Sequence, residues 1–220
     1  MAKKIIRVSP SLLAADFLNL KKEVNKVIKA KADWIHLDIM DGSFVNNISF
    51  GLPICEAIKD APIFKDVHLM IENPLKYVKN FVDVNADLIT FHYEAIRSQR
   101  KIKELINVIH DYGCACGISI RPNTTVDVII PFLKDLDLVL IMSVEPGFGG
   151  QKFMDNSIEK IKTLRNIIDE NEYDCLIEVD GGINEETSKL VKDAGVDVLV
   201  AGSYLFKSEN MAQRIRILRK

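Results

Sequence analysis

Apolar residues along the chain follow two alternating rhythms. Short runs of strand-like composition recur at Ile5–Ser9, Trp34–Ile39, Phe64–Met70, Leu88–His92, Cys114–Ile120, Leu136–Met142, Cys175–Asp180 and Val198–Ala201. Helical patterns separate them, at Leu18–Ala30, Pro53–Lys59, Leu75–Val82, Gln99–Tyr112, Val126–Leu133, Asn156–Glu170, Glu185–Ala194 and Glu209–Arg219. Strands this apolar, each followed by a helix, predict a parallel sheet covered by helices. Eight such units within 220 residues predict a closed (β/α)8 TIM barrel rather than an open doubly wound sheet. No Pro/Gly/Ser-rich linker or charge block interrupts the rhythm, so residues 1–220 read as one α/β domain.

Within the second run, WIHLDIM, strand alternation puts Ile35, Leu37 and Ile39 on one face and His36, Asp38 and Met40 on the other. An imidazole and a carboxylate two residues apart on a strand aim at the same point. Buried without partners, such groups cost several kcal/mol, on the order of 2–7 per polar group. Other strands add His68 (DVHLM), His92 and Asp180 (EVDGG) near their C-terminal ends, where barrel active sites form. Convergence of these residues on one mouth reads as a site rather than as core filling. His110 falls late in a helical stretch and is expected to face solvent. Met40, Met70 and Met142 sit at matching strand ends, as core packing or as an apolar floor under a ligand.

Glycines mark the last three strand ends: Gly147, Gly149 and Gly150 flanking Phe148, then Gly181-Gly182, then Gly202-Ser203. Bare backbone N–H groups in these positions suit an anion, and loops after the last strands of barrels often bind phosphate. The segment EPGFGGQKF is long enough to act as a lid. Two imidazoles and two carboxylates suit one divalent ion, zinc first, with manganese, iron and cobalt as alternatives. Beside a phosphate site, such an ion would chelate a carbonyl and adjacent hydroxyl of a phosphosugar. Asp38 and Asp180 come from strands on different sides of the barrel axis. Inverting a carbon needs an acid/base on each face of a planar intermediate, and a metal hydrolase needs only one. Each carboxylate is expected to bind the metal through one oxygen and keep the other for the proton.

Composition narrows the partners. A formal net charge of −2 gives no electrostatic case for nucleic acid or an anionic membrane. The N-terminal MAKKIIRVSPS has two lysines without an apolar h-region, and no segment reads as a membrane span. The four cysteines, Cys55, Cys114, Cys116 and Cys175, form no CxxC pair and read as core residues of a reduced, cytoplasmic protein.

Ser9-Pro10-Ser11, WIHLDIMDGSFVNNISFG, DVHLMIENP, FHYE, MSVEPGFGGQKF, EVDGGI and AGS resemble, in order and over nearly the whole chain, the signature segments of ribulose-phosphate 3-epimerases. The resemblance implies interconversion of ribulose 5-phosphate and xylulose 5-phosphate in the pentose phosphate pathway. By motif it implies His36, Asp38, His68 and Asp180 as metal ligands, with Asp38 and Asp180 transferring protons. It implies Ser11, His68, Gly147–Gly150, Asp180, Gly181, Gly182, Gly202 and Ser203 as substrate contacts, zinc or another divalent metal in each subunit, and a homo-oligomer. Two other functions fit the same residues: a 3-epimerase of a hexulose phosphate such as allulose 6-phosphate, and a phosphosugar-binding barrel without catalysis. Where the family pattern after MDG has His-Phe-Val-Pro-Asn, this chain has Ser43-Phe44-Val45-Asn46-Asn47. Without the proline's fixed φ, this loop is expected to be looser.

Overall fold

The computed structural model describes residues 5–220; Met1–Lys4, which hold the two N-terminal lysines, lie outside the described residues. Among the described residues the strands are β1 (Arg7–Pro10), β2 (Trp34–Met40), β3 (Phe64–Met70), β4 (Leu88–His92), β5 (Ala115–Ile120), β6 (Leu138–Met142), β7 (Leu176–Asp180) and β8 (Val198–Ala201). All paired neighbours run parallel, in the order β1-β8-β7-β6-β5-β4-β3-β2. The helices are α1 (Leu20–Lys29), α2 (Leu52–Ala57), α3 (Val78–Asp83), α4 (Tyr93–Ile96), α5 (Gln99–Asp111), α6 (Asn156–Glu170), α7 (Glu185–Ala194), α8 (Ser203–Phe206) and α9 (Met211–Arg219). This is a single (β/α)8 TIM barrel.

One expected helix does not form. Val126–Leu133 is instead two 3-10 turns, Val126–Val128 and Ile130–Asp135. Pro131 sits at the start of the second turn, lacks an N–H, and breaks an α-helical ladder at that point. The apolar spacing is still used, since Val126, Ile129, Phe132 and Leu133 are all buried. The short helices α4 and α8, one turn each, carry no periodic signal and were not expected.

Strand alternation sorts the core into two shells. Ile35, Leu37, Val67, Leu69, Ile89, Phe91, Ile118, Val139, Ile141 and Val179 point outward and pack against the helices. Inside, Trp34, Leu88, Leu138 and Val198 near the strand starts form a separate apolar plug with Phe64 and Leu176, and Leu140 and Met142 carry that cluster up β6 to the mouth. Above that plug the interior turns polar: Ser9, His36, Asp38, Asp66, His68, Thr90, His92, Ser119 and Glu178 are all buried. The apolar plug closes one end, so the polar layer faces the other end alone.

A recurrent aspartate stitches alternate strands at their starts. Asp33, Asp87, Asp137 and Asp197 each immediately precede an even-numbered strand. Each donates its backbone N–H to a carbonyl of the preceding strand, at Val8, Lys65, Cys116 and Ile177 respectively. Each also accepts that same residue's N–H through its carboxylate, at 2.7–2.8 Å. The side chain thus supplies the second half of a bridge where the strand itself has not begun. This matters most between β1 and β2, which share no continuous ladder and are joined by Asp33 and by a bridge between Ser11 and His36. Asp33 is also held by Arg219 at 2.6 Å, which ties the end of α9 to the seam.

Asp33→Ala should therefore destabilise the fold by about 1–3 kcal/mol, because it strands the Val8 N–H and frees Arg219. Asp33→Asn keeps an acceptor and should cost clearly less. Urea unfolding of both variants checks this, and equal costs would show that the side-chain acceptor for the Val8 N–H is not what matters.

Candidate active site

The polar layer opens into a cleft of about 850 Å³ at the C-terminal ends of the strands. Its lining includes Ser11, Asp38, Met40, Met70, Met142, the Gly147–Gly150 loop, Asp180, Gly181, Gly182, Gly202 and Ser203. Residues from β1, β2, β3, β6, β7 and β8 and their following loops thus meet at one mouth. The three methionines contribute apolar wall, and Met40 and Met70 pack together with Val45.

His36, Asp38, His68 and Asp180 each bring one donor atom into a group within 4.8 Å of one another. His36 Nε2 lies 3.3 Å from His68 Nδ1 and 3.3 Å from Asp38 Oδ1. His68 Nδ1 is 3.2 Å from Asp38 Oδ1, and His36 Nε2 is 4.0 Å from Asp180 Oδ2. A tetrahedral zinc site with bonds of about 2.0–2.1 Å has edges of about 3.3–3.4 Å. Three of the observed separations match that edge, and the fourth belongs to Asp180, whose side chain is 18% exposed. The donor set and its spacing fit a divalent ion.

Groups behind the ring orient it. His36 Nδ1 bonds Asp66 Oδ2 at 2.5 Å, both fully buried. His68 Nε2 bonds His92 Nε2 at 2.9 Å. His92 is therefore one ring behind the ligating positions, so two of the three expected histidines reach the meeting point. His110 is exposed as expected, paired with Asp137 at 2.9 Å. The second oxygen of Asp38 is not free, because Ser11 Oγ donates to Oδ2 at 2.6 Å. The seam between β1 and β2 brings that hydroxyl within reach.

Electrostatics separates the two aspartates. Burial pushes Asp38 up, but His36 and His68 outweigh it and hold the carboxyl far below the usual range. Burial and the charge of Asp38 push Asp180 up to about 7. Burial lowers His36, yet the carboxylates of Asp66 and Asp38 raise it well above an ordinary imidazole. Glu178, fully buried, is driven well above the carboxylate range by burial and by Asp66. Sequence reading missed Asp66 and Glu178, although both share strand parity with His68 and Asp180, which was the available signal.

The glycines have local reasons. Gly181 has φ +121° and a Cβ there would lie 2.5 Å from Val144; at Gly182 (φ +64°) it would lie 2.5 Å from the backbone N of Phe153. The loop after β6 thus packs directly on bare backbone after β7. The loop after β2 is pinned rather than loose. Asp41 Oδ1 accepts from the N–H groups of Ser43 and Phe44. Asn47 donates to Gly147 O at 2.6 Å, and Arg121 donates to Phe44 O at 2.9 Å. None of these bonds involves Asn46, which is exposed. The four cysteines are buried and unpaired. Among the described residues no helix is long and apolar enough to cross a membrane.

The chain is 44% identical over 219 residues to ribulose-phosphate 3-epimerase of Bacillus subtilis (strain 168), covering 98% of this chain and 99% of that protein. It is 43% identical over 216 residues to the ribulose-phosphate 3-epimerase of Chlamydia pneumoniae, covering 97% and 93%. In fold it is similar to a 3-hexulose-6-phosphate synthase (TM-score 0.69, 16% identity, 98% of each chain). It is also similar to 3-keto-L-gulonate-6-phosphate decarboxylase from Vibrio cholerae (TM-score 0.69, 15% identity, 99% and 96%). The model of the ribulose-phosphate 3 epimerase family matches residues 7–206, and the chain belongs to that family of isomerases.

Proposed function

We propose that the chain interconverts D-ribulose 5-phosphate and D-xylulose 5-phosphate, with Asp38 and Asp180 moving the C3 proton on opposite faces of a planar enediolate. The observation that carries this reading is geometric: two carboxyls, one from β2 and one from β7, meet in one ring of donor atoms. Their surroundings differ: His36 and His68 hold Asp38 far below the usual carboxylate range, whereas burial and Asp38 push Asp180 up to about 7. Environments that push two titratable groups apart create one base and one acid. Asp38 takes a proton from C3 on its face while Asp180 delivers one on the other, and the reverse reaction exchanges the roles. One proton leaves carbon and one arrives, so the substrate's composition is unchanged. Ser11 Oγ, bonded to Asp38 Oδ2, orients that carboxylate and can turn to accept when the oxygen is protonated. Met40, Met70 and Met142 keep the reacting carbons dry.

His36, Asp38, His68 and Asp180 would hold one divalent ion, and zinc suits their N2O2 donor set. When bound, it supplies charge that favours negative oxygen at C2 and C3. The N–H groups around Gly182, Gly202 and Ser203 would take the phosphate tail, with Gly147–Gly150 closing over it. Lys152 and Lys207 line the same cleft, are exposed, and complement the anion from the rim.

The metal reading has a pH signature. His36 and Asp180 hold protons more tightly than usual, so ligation must displace them. Binding should strengthen as pH rises through about 7, by about tenfold per proton and pH unit below that point. Cobalt or zinc titration at pH 6 and pH 8 checks it. His68→Ala should lose the ion while the barrel stays folded, and full occupancy in that variant would remove His68 from the ligand set.

For the phosphate, Gly202→Val should raise KM steeply, because it sets a branched side chain in the cleft lining beside the N–H groups that would meet the anion. An unchanged KM for the phosphosugar would place the phosphate elsewhere.

The proton carriers are separated by solvent exchange. Asp38→Asn and Asp180→Asn should each cut turnover by ~10²-fold or more, as loss of a general acid/base does. In deuterium oxide each variant should exchange the C3 proton of one epimer and not the other, in a crossed pattern. Near-normal epimerisation by either metal-loaded variant would end the two-aspartate reading.

A further inference from the structure

We infer that Glu94 is a positioning residue: acting through His92, it sets the tautomer of His68 that leaves Nδ1 bare toward the divalent-ion site. The inference deepens the proposed function and rests on its metal reading. Three contacts carry it. His68 Nε2 lies 2.9 Å from His92 Nε2, and His92 Nδ1 lies 3.3 Å from Glu94 Oε2. Glu94 Oε1 accepts from the Arg121 N–H at 2.9 Å and from Thr124 Oγ1 at 2.5 Å. Both rings are fully buried, and the Glu94 side chain is 10% exposed.

A bond between two imidazole nitrogens needs one proton, on one side or the other. If His92 donated through Nε2, its Nδ1 lone pair would face the Glu94 carboxylate, which accepts only. His68 would then carry its proton on Nδ1, where a metal must bind. If His68 donates, His92 keeps its proton on Nδ1 and gives it to Glu94, and His68 Nδ1 is left to accept from His36 Nε2 at 3.3 Å. The state of each group supports this assignment. His92 has no exposed surface, with His68 and Glu94 against its two nitrogens and Phe44 against its ring. Hydrogen bonds outweigh burial and hold Glu94 at about 2, so it is a carboxylate.

The loop after β5 keeps Glu94 in place. Lys160 Nζ donates to the carbonyls of Arg121, Pro122 and Thr124 at 2.5–2.9 Å. Phe44 covers His92 with ring centroids 4.8 Å apart, and the Arg121 guanidinium lies 4.4 Å over Phe44. The relay is thus walled from water and anchored in α6.

Glu94→Gln tests the assignment with almost no change of shape. The Arg121 N–H can only donate, so it claims the new amide oxygen and turns the NH2 toward His92 Nδ1. The relay then runs backwards. Nitrogen-15 NMR of the metal-free wild type should show His68 protonated on Nε2, and the Glu94→Gln variant should show it on Nδ1. Zinc affinity, measured by chelator competition, should fall about 10–100-fold in that variant, as for other partners behind a metal ligand. Thr124→Val removes one support of Glu94 but keeps its carboxylate, so tautomer and affinity should persist. A wild-type His68 protonated on Nδ1 overturns the inference, even if the variant does not fold. So does an affinity equal to wild type in Glu94→Gln, or an equal loss in Thr124→Val. A wild type that binds no divalent ion would instead defeat the metal reading and leave the NMR comparison to decide the tautomer.

Discussion

The bond between His36 Nδ1 and Asp66 Oδ2, sealed inside the barrel, is the constraint on which the mouth depends. An imidazole with no exposed surface must place both nitrogens against partners, because unpaired polar groups in such a place are costly. Asp66 claims Nδ1, and Nε2 is left to face the cleft. Removing Asp66 would leave the ring free to turn and its charge uncompensated, which is worse than never having had the pair. Asp66 is itself crowded by Glu178, whose carboxyl is driven well above the ordinary range. A proton on Glu178 relieves the repulsion between two buried carboxylates.

From that bond the hydrogen-bonded series continues through His68 and His92 to Glu94, crossing β2, β3 and β4. A carboxylate stands at each end. Each draws an imidazole N–H away from the centre, so release of the one proton between His36 Nε2 and His68 Nδ1 leaves two acceptor nitrogens where a cation is wanted. Strands β2 and β3 pair over seven residues, from Trp34 with Phe64 to Met40 with Met70. That register sets Asp38 beside His68 and His36 beside Asp66. Precision at the site is thus a property of the longest ladder in the barrel, and the seam beside β1 adds Ser11 to it.

Strand positions, the α/β repeat and the four converging side chains were legible because two-residue alternation fixes which groups share a face. The same parity also put Asp66 with His68 and Glu178 with Asp180, although one polar residue among apolar neighbours reads ambiguously without a partner in view. Glu94, Arg121 and Lys160 were not legible. Glu94 stands two residues from His92, but the bonds that fix it in place, from Arg121 to Glu94 and from Lys160 to the Arg121 loop, join residues 27 to 39 apart in sequence. The helix expected at Val126–Leu133 failed for a local reason, since apolar spacing reports burial and Pro131 decides the ladder. The aspartates at strand starts sit in plain view in ADW, ADL, LDL and VDV, yet their meaning depends on the strand before each one.

The loop after β2 shows how a local sequence change can be absorbed. A proline restricts one φ angle and lowers the entropy of the unfolded chain, an effect of about 0.4–1 kcal/mol where the geometry allows it. Here the same stretch is held by Asp41, Asn47 and Arg121, through bonds to Ser43, Phe44 and Gly147. Several such bonds, each worth about 0.5–1.5 kcal/mol net, outweigh one restricted dihedral. Their placement matters more than their number. Arg121 reaches the loop with its guanidinium and Glu94 with its backbone N–H, while Phe44 rests on His92. The group that covers the mouth is therefore seated on the relay that prepares His68, so cover and ligand share one support.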